Sequence, residues 1–372
     1  MRVGEVGLRD FRTYARAAAV LGPGLTVVHG PNGAGKSNLL EAVYFGCTGR
    51  SPRTRTDREL VRFGERATRV TVSVQADGRE HELTVAYSSP APGEPQVKRM
   101  TCDGAAVERL IDLPVRPLIS VFMPDRLELV KGPPAIRRAH LDQFVAALWP
   151  ARAATRREYS QVLAQRNALL ARIRSGRAAD TALATWDREL AIKALELRAD
   201  REQAVALLSE PFAERADRLG LAGTVTLEYR PRSAAEDADA FVGELQARLA
   251  TDLERGFSTH GPHRDEIAAI RDGRELRVYG SQGEQRLTLL ALLLAERGVL
   301  ASERGTPPLM LLDDVMSELD ATRRGLLADE LASAGQSVIA TTDLDHVPHA
   351  AAASVTRVAI SPGTVLQEAQ AA

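Results

Sequence analysis

The sequence predicts an α/β protein with a sheet that carries a P-loop, antiparallel β-structure beside it, and a second lobe made of helices. Three observations support this fold class. A glycine-rich turn at residues 30–37 lies between a strand-like run, residues 25–28, and a helix-like run. Alternating apolar and polar residues with Asp-Gly turns recur through residues 1–120, which favours antiparallel hairpins. From about residue 124 to 257 the chain is rich in Ala, Leu, Arg and Glu, which favours long helices.

Composition sets the broad class of protein. The chain has 372 residues, of which 44% are hydrophobic, and this is ample for a packed core. A net charge of -1 gives no overall basic field, so a nucleic-acid surface requires a local concentration of Lys and Arg. The apolar run 287–295 is too short to cross a bilayer, and the N-terminus lacks the apolar core of a signal peptide. We expect a cytoplasmic protein with no membrane partner, whose Cys47 and Cys102 are free thiols.

The glycine-rich turn matches the P-loop pattern. In a P-loop, backbone N–H groups point at phosphate oxygens, and the following helix adds the positive end of its dipole. Lys36 is placed to reach the β- and γ-phosphates, and the Ser37 hydroxyl is placed to ligate Mg²⁺. The residues predicted to contact the nucleotide here are Gly30, Asn32, Gly33, Gly35, Lys36, Ser37 and Asn38.

Residues 50–69 hold a local excess of positive charge, with seven arginines against Asp57, Glu59 and Glu65. One interpretation is a solvated face with internal ion pairs. The other is a duplex-binding surface whose arginines contact phosphates without reading bases. The residues predicted to contact DNA in the second case are Arg50, Arg53, Arg55 and Arg58.

The helical stretch predicts an antiparallel arm. Tyr159, Val162 and Leu163 begin one apolar face, and Trp186 and Leu190 begin an answering face. The segment 175–177 lies between them and contains a glycine, so the chain can reverse there. We interpret the periodicity as a helical core in preference to a groove for a specific partner.

A buried-strand run, residues 309–312, ends in Asp313 and Asp314. Two acids at this place suit a Mg²⁺-nucleotide site beside a P-loop. Asp313 would hold Mg²⁺ together with Ser37, and Asp314 would orient and polarise the attacking water. The alternative is a strand with an acidic end that leads into a helix cap.

The segment 281–285 precedes a strongly apolar helix. Ser281 and Glu284 have the spacing of a capping box. An exposed helix N-terminus with Gly283 in its first turn is also an anion site, which could address a γ-phosphate bound elsewhere. Capping of the helix and binding of a phosphate are compatible, so the sequence leaves both roles open for this segment.

Taken together, these motifs resemble the head domain of the ABC-type ATPases, with Walker A at 30–37, signature at 281–285, Walker B at 309–314 and a D-loop at 317–320. Within that class the chain resembles the bacterial RecF family of recombination mediators over nearly its whole length. The matching segments are residues 8–14, 37–42, 129–132, 137–138, 141–142, 261–265 and 281–286.

The resemblance implies an SMC-like head with a mixed sheet, formed by residues 1–123 and 257–372, and a helical lobe with a short arm at 124–256. It implies that ATP drives dimerisation, with each P-loop nucleotide capped by Ser281 of the other subunit, and with Asp320 at the interface. Ser281, Gly283 and Gln285 are the predicted signature contacts, and the predicted catalytic residues are Lys36, Asp313, Asp314 and Ser281.

It further implies a weak, DNA-stimulated ATPase acting in DNA repair. The implied partners are DNA at gaps and junctions between single and double strands, RecR and RecO, with which it helps to load RecA. ABC transporters carry a switch histidine after the strand that follows Walker B; here residues 341–343 read Thr-Thr-Asp, which leaves Thr342 or Asp343 as the candidate γ-phosphate sensor.

Two alternative functions would also use a P-loop with these partner motifs. A transporter ATPase subunit would share the three motifs, but the long interval between Walker A and the signature disfavours it. A nonenzymatic nucleotide-binding scaffold is disfavoured because Lys36, Ser37, Asp313 and Asp314 are all present.

Overall fold

The computed structural model describes residues 1–89, 96–333 and 335–367. The chain divides into two compact units. Unit 1 comprises residues 1–126 and 304–372, and unit 2 comprises residues 127–303.

The first part of unit 1 is mostly β-structure. Its elements are β1 (Arg2–Phe11), β2 (Tyr14–Val20), β3 (Leu25–His29), α1 (Lys36–Thr48), β4 (Ala67–Ala76), β5 (Arg79–Ser88), β6 (Val97–Cys102), β7 (Ala105–Ala106) and β8 (Ile119–Phe122). An antiparallel sheet runs in the order β2-β1-β4-β5-β6-β7. In β4 the buried residues Val70, Val72 and Val74 alternate with more exposed ones, so one face of this sheet packs inward. The predicted antiparallel subdomain is confirmed.

Unit 2 is mainly helical. Its elements are α2 (Glu128–Lys131), α3 (Pro134–Leu148), α4 (Thr155–Arg174), α5 (Leu183–Arg218), β9 (Val225–Arg230), α6 (Ala238–Ala247), α7 (Leu249–Arg255), β10 (Glu266–Arg271), β11 (Arg274–Glu275), α8 (Leu276–Tyr279) and α9 (Gln282–Arg304). Helices α4 and α5 pack together after a reversal at Gly176, whose φ of 70° suits glycine. The predicted helical arm is confirmed.

The chain then completes unit 1 with β12 (Leu309–Asp313), α10 (Ala321–Ser333), β13 (Ser337–Thr341), β14 (Thr356–Ser361) and β15 (Thr364–Gln367). A second sheet has the order β15-β14-β3-β13-β12-β8, parallel except for the β14–β15 pair. This is the predicted mixed sheet. Since β3 and β12 are parallel to β13 between them, the P-loop and the acidic strand end emerge at the same edge.

Helix α1 lies between the two sheets of unit 1. Leu39, Leu40 and Val43 are fully buried in a core shared with both sheets. The close approach depends on Gly46, where a Cβ would lie 2.3 Å from Val72 Cγ2 and 2.9 Å from Val70 Cγ1. A side chain at this position would therefore push α1 away from the antiparallel sheet.

A buried ionic network holds unit 2 together. The Arg201 guanidinium donates to both carboxylate oxygens of Asp142, at 2.8 and 3.1 Å, and to Asp265 Oδ2 at 3.1 Å. Asp265 immediately precedes β10, which pairs with β9. The contact-based division groups residues 257–303 with unit 2. The assignment of residues 257–372 to the ATPase head stays a prediction.

The described residues contain no membrane span and no disulfide. Within those ranges, no helix is long and apolar enough to cross a bilayer. Cys47, which is buried, and Cys102, which is half-buried, are both free thiols as predicted.

Replacing Gly46 with alanine is expected to destabilise the protein by about 1–3 kcal/mol, because the added methyl group overpacks the contact with Val70 and Val72. The matched control is Gly243→Ala in α6, where an added methyl group meets open space and should stabilise by about 0.5–1 kcal/mol. Urea unfolding of both variants measures the difference. Equal stabilisation by the two substitutions would show that α1 can move away from the sheet at little cost.

Candidate nucleotide-binding site

The P-loop follows β3 and is shaped by its glycines. Gly30, Gly33 and Gly35 have φ values of 154°, 78° and 118°, a range that residues with a Cβ rarely adopt. A Cβ on Gly30 would lie 2.2 Å from the Ile360 carbonyl oxygen, and one on Gly35 would lie 2.8 Å from the Tyr14 hydroxyl oxygen. The loop therefore requires glycine both for its dihedral angles and for the close approach of neighbours.

The end of this loop is suited to an anion. Gly35 is the N-cap residue of α1 and gives it no side-chain cap, so the first turn retains N–H groups and the positive dipole end for a ligand. Lys36 Nζ donates to the carbonyl oxygens of Gly30 and Pro31, at 2.8 and 2.9 Å. This folds the ammonium back over the loop, and burial lowers the Lys36 pKa. Asn32 and Gly33 are exposed on the same loop.

The acidic strand end lies beside the P-loop helix. The Ser37 hydroxyl lies near the carboxylate of Asp313 and opposes the rise of its pKa; Asp313 is 8% exposed. Burial raises the Asp313 pKa, and the nearby charges of Arg53 and Lys36 oppose that effect. A hydroxyl and a carboxylate are hard oxygen donors of the kind that Mg²⁺ prefers. The structure thus brings together the two residues that the sequence predicted as metal ligands.

Asp314 has an unusual conformation for a residue with a side chain. Its φ is 52°, and its N–H donates to the Ala340 carbonyl oxygen at 3.0 Å. Its Oδ1 atom is buried and, within the described residues, has no hydrogen-bond partner. A strained backbone and an unsatisfied buried oxygen both cost free energy, and such features concentrate at functional sites.

A buried carboxylate on α1 organises the surroundings of the site. Glu41 is fully buried and accepts from Arg12 Nε and Nη2, at 2.9 and 2.8 Å. It also accepts from Ser51 Oγ at 2.6 Å and from Arg53 Nη1 at 3.2 Å. Arg53 Nη1 also donates to Asn38 Oδ1 at 3.0 Å. Arg12 and Glu41 lie in the segments 8–14 and 37–42, but the sequence pattern alone indicates no role for either.

The turn between β1 and β2 also contacts the P-loop. The Tyr14 hydroxyl donates to the Gly35 carbonyl oxygen at 2.9 Å, and Asn38 Nδ2 donates to Thr13 Oγ1 at 3.1 Å. This hairpin therefore supports the phosphate-binding loop from outside the parallel sheet.

The four arginines predicted to contact DNA fall into two groups. All four are exposed, and within the described residues the side chains of Arg50, Arg55 and Arg58 make no hydrogen bond or ion pair. Arg53 differs, because its guanidinium contacts Glu41 and Asn38 at the P-loop helix. The charge of Arg53 therefore lies beside the predicted nucleotide site, and its DNA contact stays a prediction.

The signature segment lies in unit 2 at the start of α9. Ser281 Oγ accepts from the Glu284 N–H at 3.3 Å, and Glu284 Oε2 accepts from the Ser281 N–H at 2.8 Å. The predicted capping box is confirmed. Ser281 and Gly283 are exposed. Gln285 instead is buried, and its Nε2 donates to the carbonyl oxygens of Leu276, Arg277 and Gly280, which gives it a structural role before α9.

Asp320, predicted to lie at the dimer interface, and Asp343, at the predicted sensor position, each accept a hydrogen bond from a nearby main-chain N–H. Asp320 Oδ1 accepts from the Arg323 N–H at 2.9 Å at the start of α10. Asp343 Oδ1 accepts from the Asp345 N–H at 2.9 Å. Both carboxylates therefore stabilise short turns within unit 1.

The fold and these motifs define the class. A P-loop after β3, an acidic end of β12 in the same sheet, and a capped signature helix are the parts of an ABC-type ATPase head. A family model described as an AAA domain matches residues 5–99. Proteins named DNA replication and repair protein RecF from Streptomyces avermitilis and Heliobacterium modesticaldum are 38% and 36% identical to this chain. The matches cover 98% and 92% of this chain and 99% and 92% of the relatives. The chain belongs to the RecF family.

Solved structures of RecF and of an Smc head are similar in fold to this chain. A structure of the recombination mediator protein RecF with ATP has a TM-score of 0.85 at 26% identity, covering 99% of this chain and 97% of that one. An Smc head bound to a winged-helix domain of ScpA has a TM-score of 0.59 at 17% identity, a likeness of fold alone. The predicted fold class and family are therefore confirmed.

Replacing Arg53 with glutamine is expected to weaken ATP binding by roughly 5- to 10-fold, equivalent to about 1–1.4 kcal/mol. The physical reason is the loss of a positive charge beside Asn38 and Asp313. Arg55→Gln is the matched control, because it removes the same charge from an exposed side chain two residues away. Fluorescence anisotropy of labelled ATP measures both affinities. Equal affinities for the two variants would remove Arg53 from the site.

Proposed function

We propose that this protein is an ATP-dependent DNA-binding clamp of recombinational DNA repair. ATP holds two copies together on DNA, and slow hydrolysis releases them. The family, the P-loop with its acidic neighbours, and above all the position of the signature serine support this function.

The observation that carries the proposal is that Ser281 is exposed at the N-terminus of a 23-residue helix in unit 2, while the P-loop belongs to unit 1. Its capping hydrogen bond is long, at 3.3 Å, and the first turn presents Gly283 with no side chain. An exposed helix N-terminus stabilises an anion. In a dimer, the γ-phosphate of one copy would lie between its own α1 and the partner's α9, so nucleotide state would control association.

The chemistry follows from residues within unit 1. Ser37 and Asp313 would hold Mg²⁺, which when bound would neutralise charge on the β- and γ-phosphates. The Lys36 ammonium, which donates to the Gly30 and Pro31 carbonyl oxygens, would exchange these hydrogen bonds for hydrogen bonds to the phosphates. The unsatisfied Oδ1 of Asp314 is an acceptor that could orient a water molecule for in-line attack. Each of these residues already lies at the same edge of the sheet.

The biological setting is inferred from the relatives, which carry the name DNA replication and repair protein, and from a solved RecF described as part of the RecFOR pathway. We infer that the partners are gapped or partly single-stranded DNA, RecO and RecR, and that the complex helps to load RecA. We infer a cytoplasmic location. We also infer that the ATPase head and the helical lobe are separate functional domains, with a boundary near residues 123–127.

Replacing Ser281 with arginine is expected to abolish the ATP-induced dimer while leaving ATP binding by the monomer intact, because a long side chain would occupy the place of the partner's phosphate. Light scattering with and without ATP measures the dimer. Ser281→Asp provides the control for folding: aspartate is as good an N-cap as serine, but its charge repels phosphate. We expect Ser281→Asp to keep its melting temperature and lose the dimer. A normal dimer fraction in both variants would refute the composite site.

Replacing Asp314 with asparagine is expected to lower ATP hydrolysis by about 10²-fold or more while keeping ATP binding, since a positioned base contributes about 10²–10⁴-fold. The variant should therefore accumulate as the ATP-bound dimer. Phosphate release and light scattering are measured on the same samples. Asp329→Asn, an exposed aspartate of α10, should leave both quantities unchanged. Wild-type hydrolysis by Asp314→Asn would exclude this residue from the chemical step.

A further inference from the structure

The register of the antiparallel sheet aligns arginines from separate strands. Arg9 of β1 lies opposite Arg16 of β2 on one side and opposite Arg69 of β4 on the other. Arg69 lies opposite Ala86 of β5, which in turn lies opposite Arg99 of β6. These five positions form one line across the sheet, which we call the arginine row. Its four arginines are exposed, and they lie on the face opposite the valines that pack inward.

The arginine row is unfavourable for folding on its own. Like charges directly opposite each other on neighbouring strands are destabilising. Arg9 has Asp10 at 3.9 Å. Within the described part of the chain, Arg16, Arg69 and Arg99 form no ion pair. The row therefore presents concentrated positive charge that an external anion could neutralise.

The neighbouring positions on the same face are small and uncharged. The next line across the sheet consists of Ala18, Gly7, Thr71, Thr84 and Thr101. No side chain in this line is larger than threonine, so a broad ligand could approach the strands closely, and three hydroxyls could donate to it. Further along, Glu5 and Glu82 are exposed, so positive charge is less concentrated there than at the arginine row.

The basic end of the sheet includes a wide depression. It has a volume of about 590 Å³, and Arg9, Arg66, Arg69 and Arg99 line it together with Asp10 and Glu65. The main-chain bond from Ser89 N–H to the Arg66 carbonyl oxygen, 2.8 Å, fixes the loop that carries Arg66 to the end of β5. The row and this loop therefore line the same depression at the end of the sheet.

We propose that the arginine row binds the phosphate backbone of a DNA duplex. This inference rests on the proposed function, since it names the surface by which the clamp holds DNA. Four intervals between strands of about 4.8 Å give the row a length of about 19 Å. That length exceeds the roughly 12 Å width of the major groove, so the row can reach phosphates on both sides of a groove. Neither line contains an aromatic residue on which unpaired bases could stack, which favours duplex over single strand.

The test compares two double variants of the full-length protein that remove equal charge from the same sheet. Arg69→Gln with Arg99→Gln neutralises half of the row. Arg2→Gln with Arg79→Gln neutralises two arginines at the opposite end, near Glu80. Binding of a labelled duplex and of a labelled single strand is measured with ATP, between about 50 and 200 mM salt.

We expect the row variant to bind duplex at least about tenfold more weakly, with a salt slope smaller by about 2, because two phosphates are no longer neutralised. The opposite-end variant should bind as the wild type does. The row variant should also melt at the same temperature as the wild type or higher, since it removes a like-charge pairing.

Equal duplex affinity and salt slope for the two variants would overturn the assignment of the row while leaving the clamp in place. A weakening confined to single-stranded DNA would overturn the choice of duplex. If the wild type bound neither DNA in any nucleotide state, the proposed function would fail together with this inference.

Discussion

Helix α1 is buried between the two sheets of unit 1, and the rest of the unit depends on that contact. Leu39, Leu40 and Val43 have no exposed surface, and full burial of such side chains contributes roughly 1.5–3 kcal/mol each. Because both faces of the helix are covered, its first turn has a fixed position relative to β3. The loop between them must therefore turn sharply, and Gly30 does so against the Ile360 carbonyl oxygen. The phosphate-binding geometry is a consequence of how the helix packs.

A helix covered on both faces can keep a charge only where that charge is paired. Glu41 is fully buried on α1, and Arg12 and Arg53 both donate to it. Removing either partner would leave a less compensated buried charge, which is costly. Arg12 belongs to the same hairpin as Arg9 and Arg16 of the arginine row. The outer face of the sheet and the phosphate-binding loop are thus connected through one short hairpin, held by ionic and hydrogen bonds at its turn.

Local patterns predict much of this architecture. The P-loop, the acidic end of β12, the capping box at Ser281 and the helical arm all depend on residues close together in the chain, so their spacing is visible in the sequence. Features that depend on distant residues are not visible there. The arginine row requires a register between β1, β2, β4, β5 and β6 that no single segment encodes. For the same reason the sequence does not reveal the contact between Arg53 and Glu41. From the sequence alone, the charge of Arg53 is equally consistent with a DNA-binding surface. The grouping of residues 257–303 with unit 2 likewise depends on the pairing of β10 with β9.

The least favourable features of unit 1 coincide with its proposed surfaces for ligands. Asp314 has a left-handed backbone and an unsatisfied buried oxygen beside the P-loop, and the arginine row sets like charges against each other across strands. Neither feature stabilises the fold, and neither follows from packing, because asparagine or glycine would suit the backbone of Asp314 better and threonine would suit the outer strands better. A chain that keeps such residues at these positions gains from them only when an anion or a water molecule is bound. The two sites thus share one property, since each becomes favourable only in the bound state.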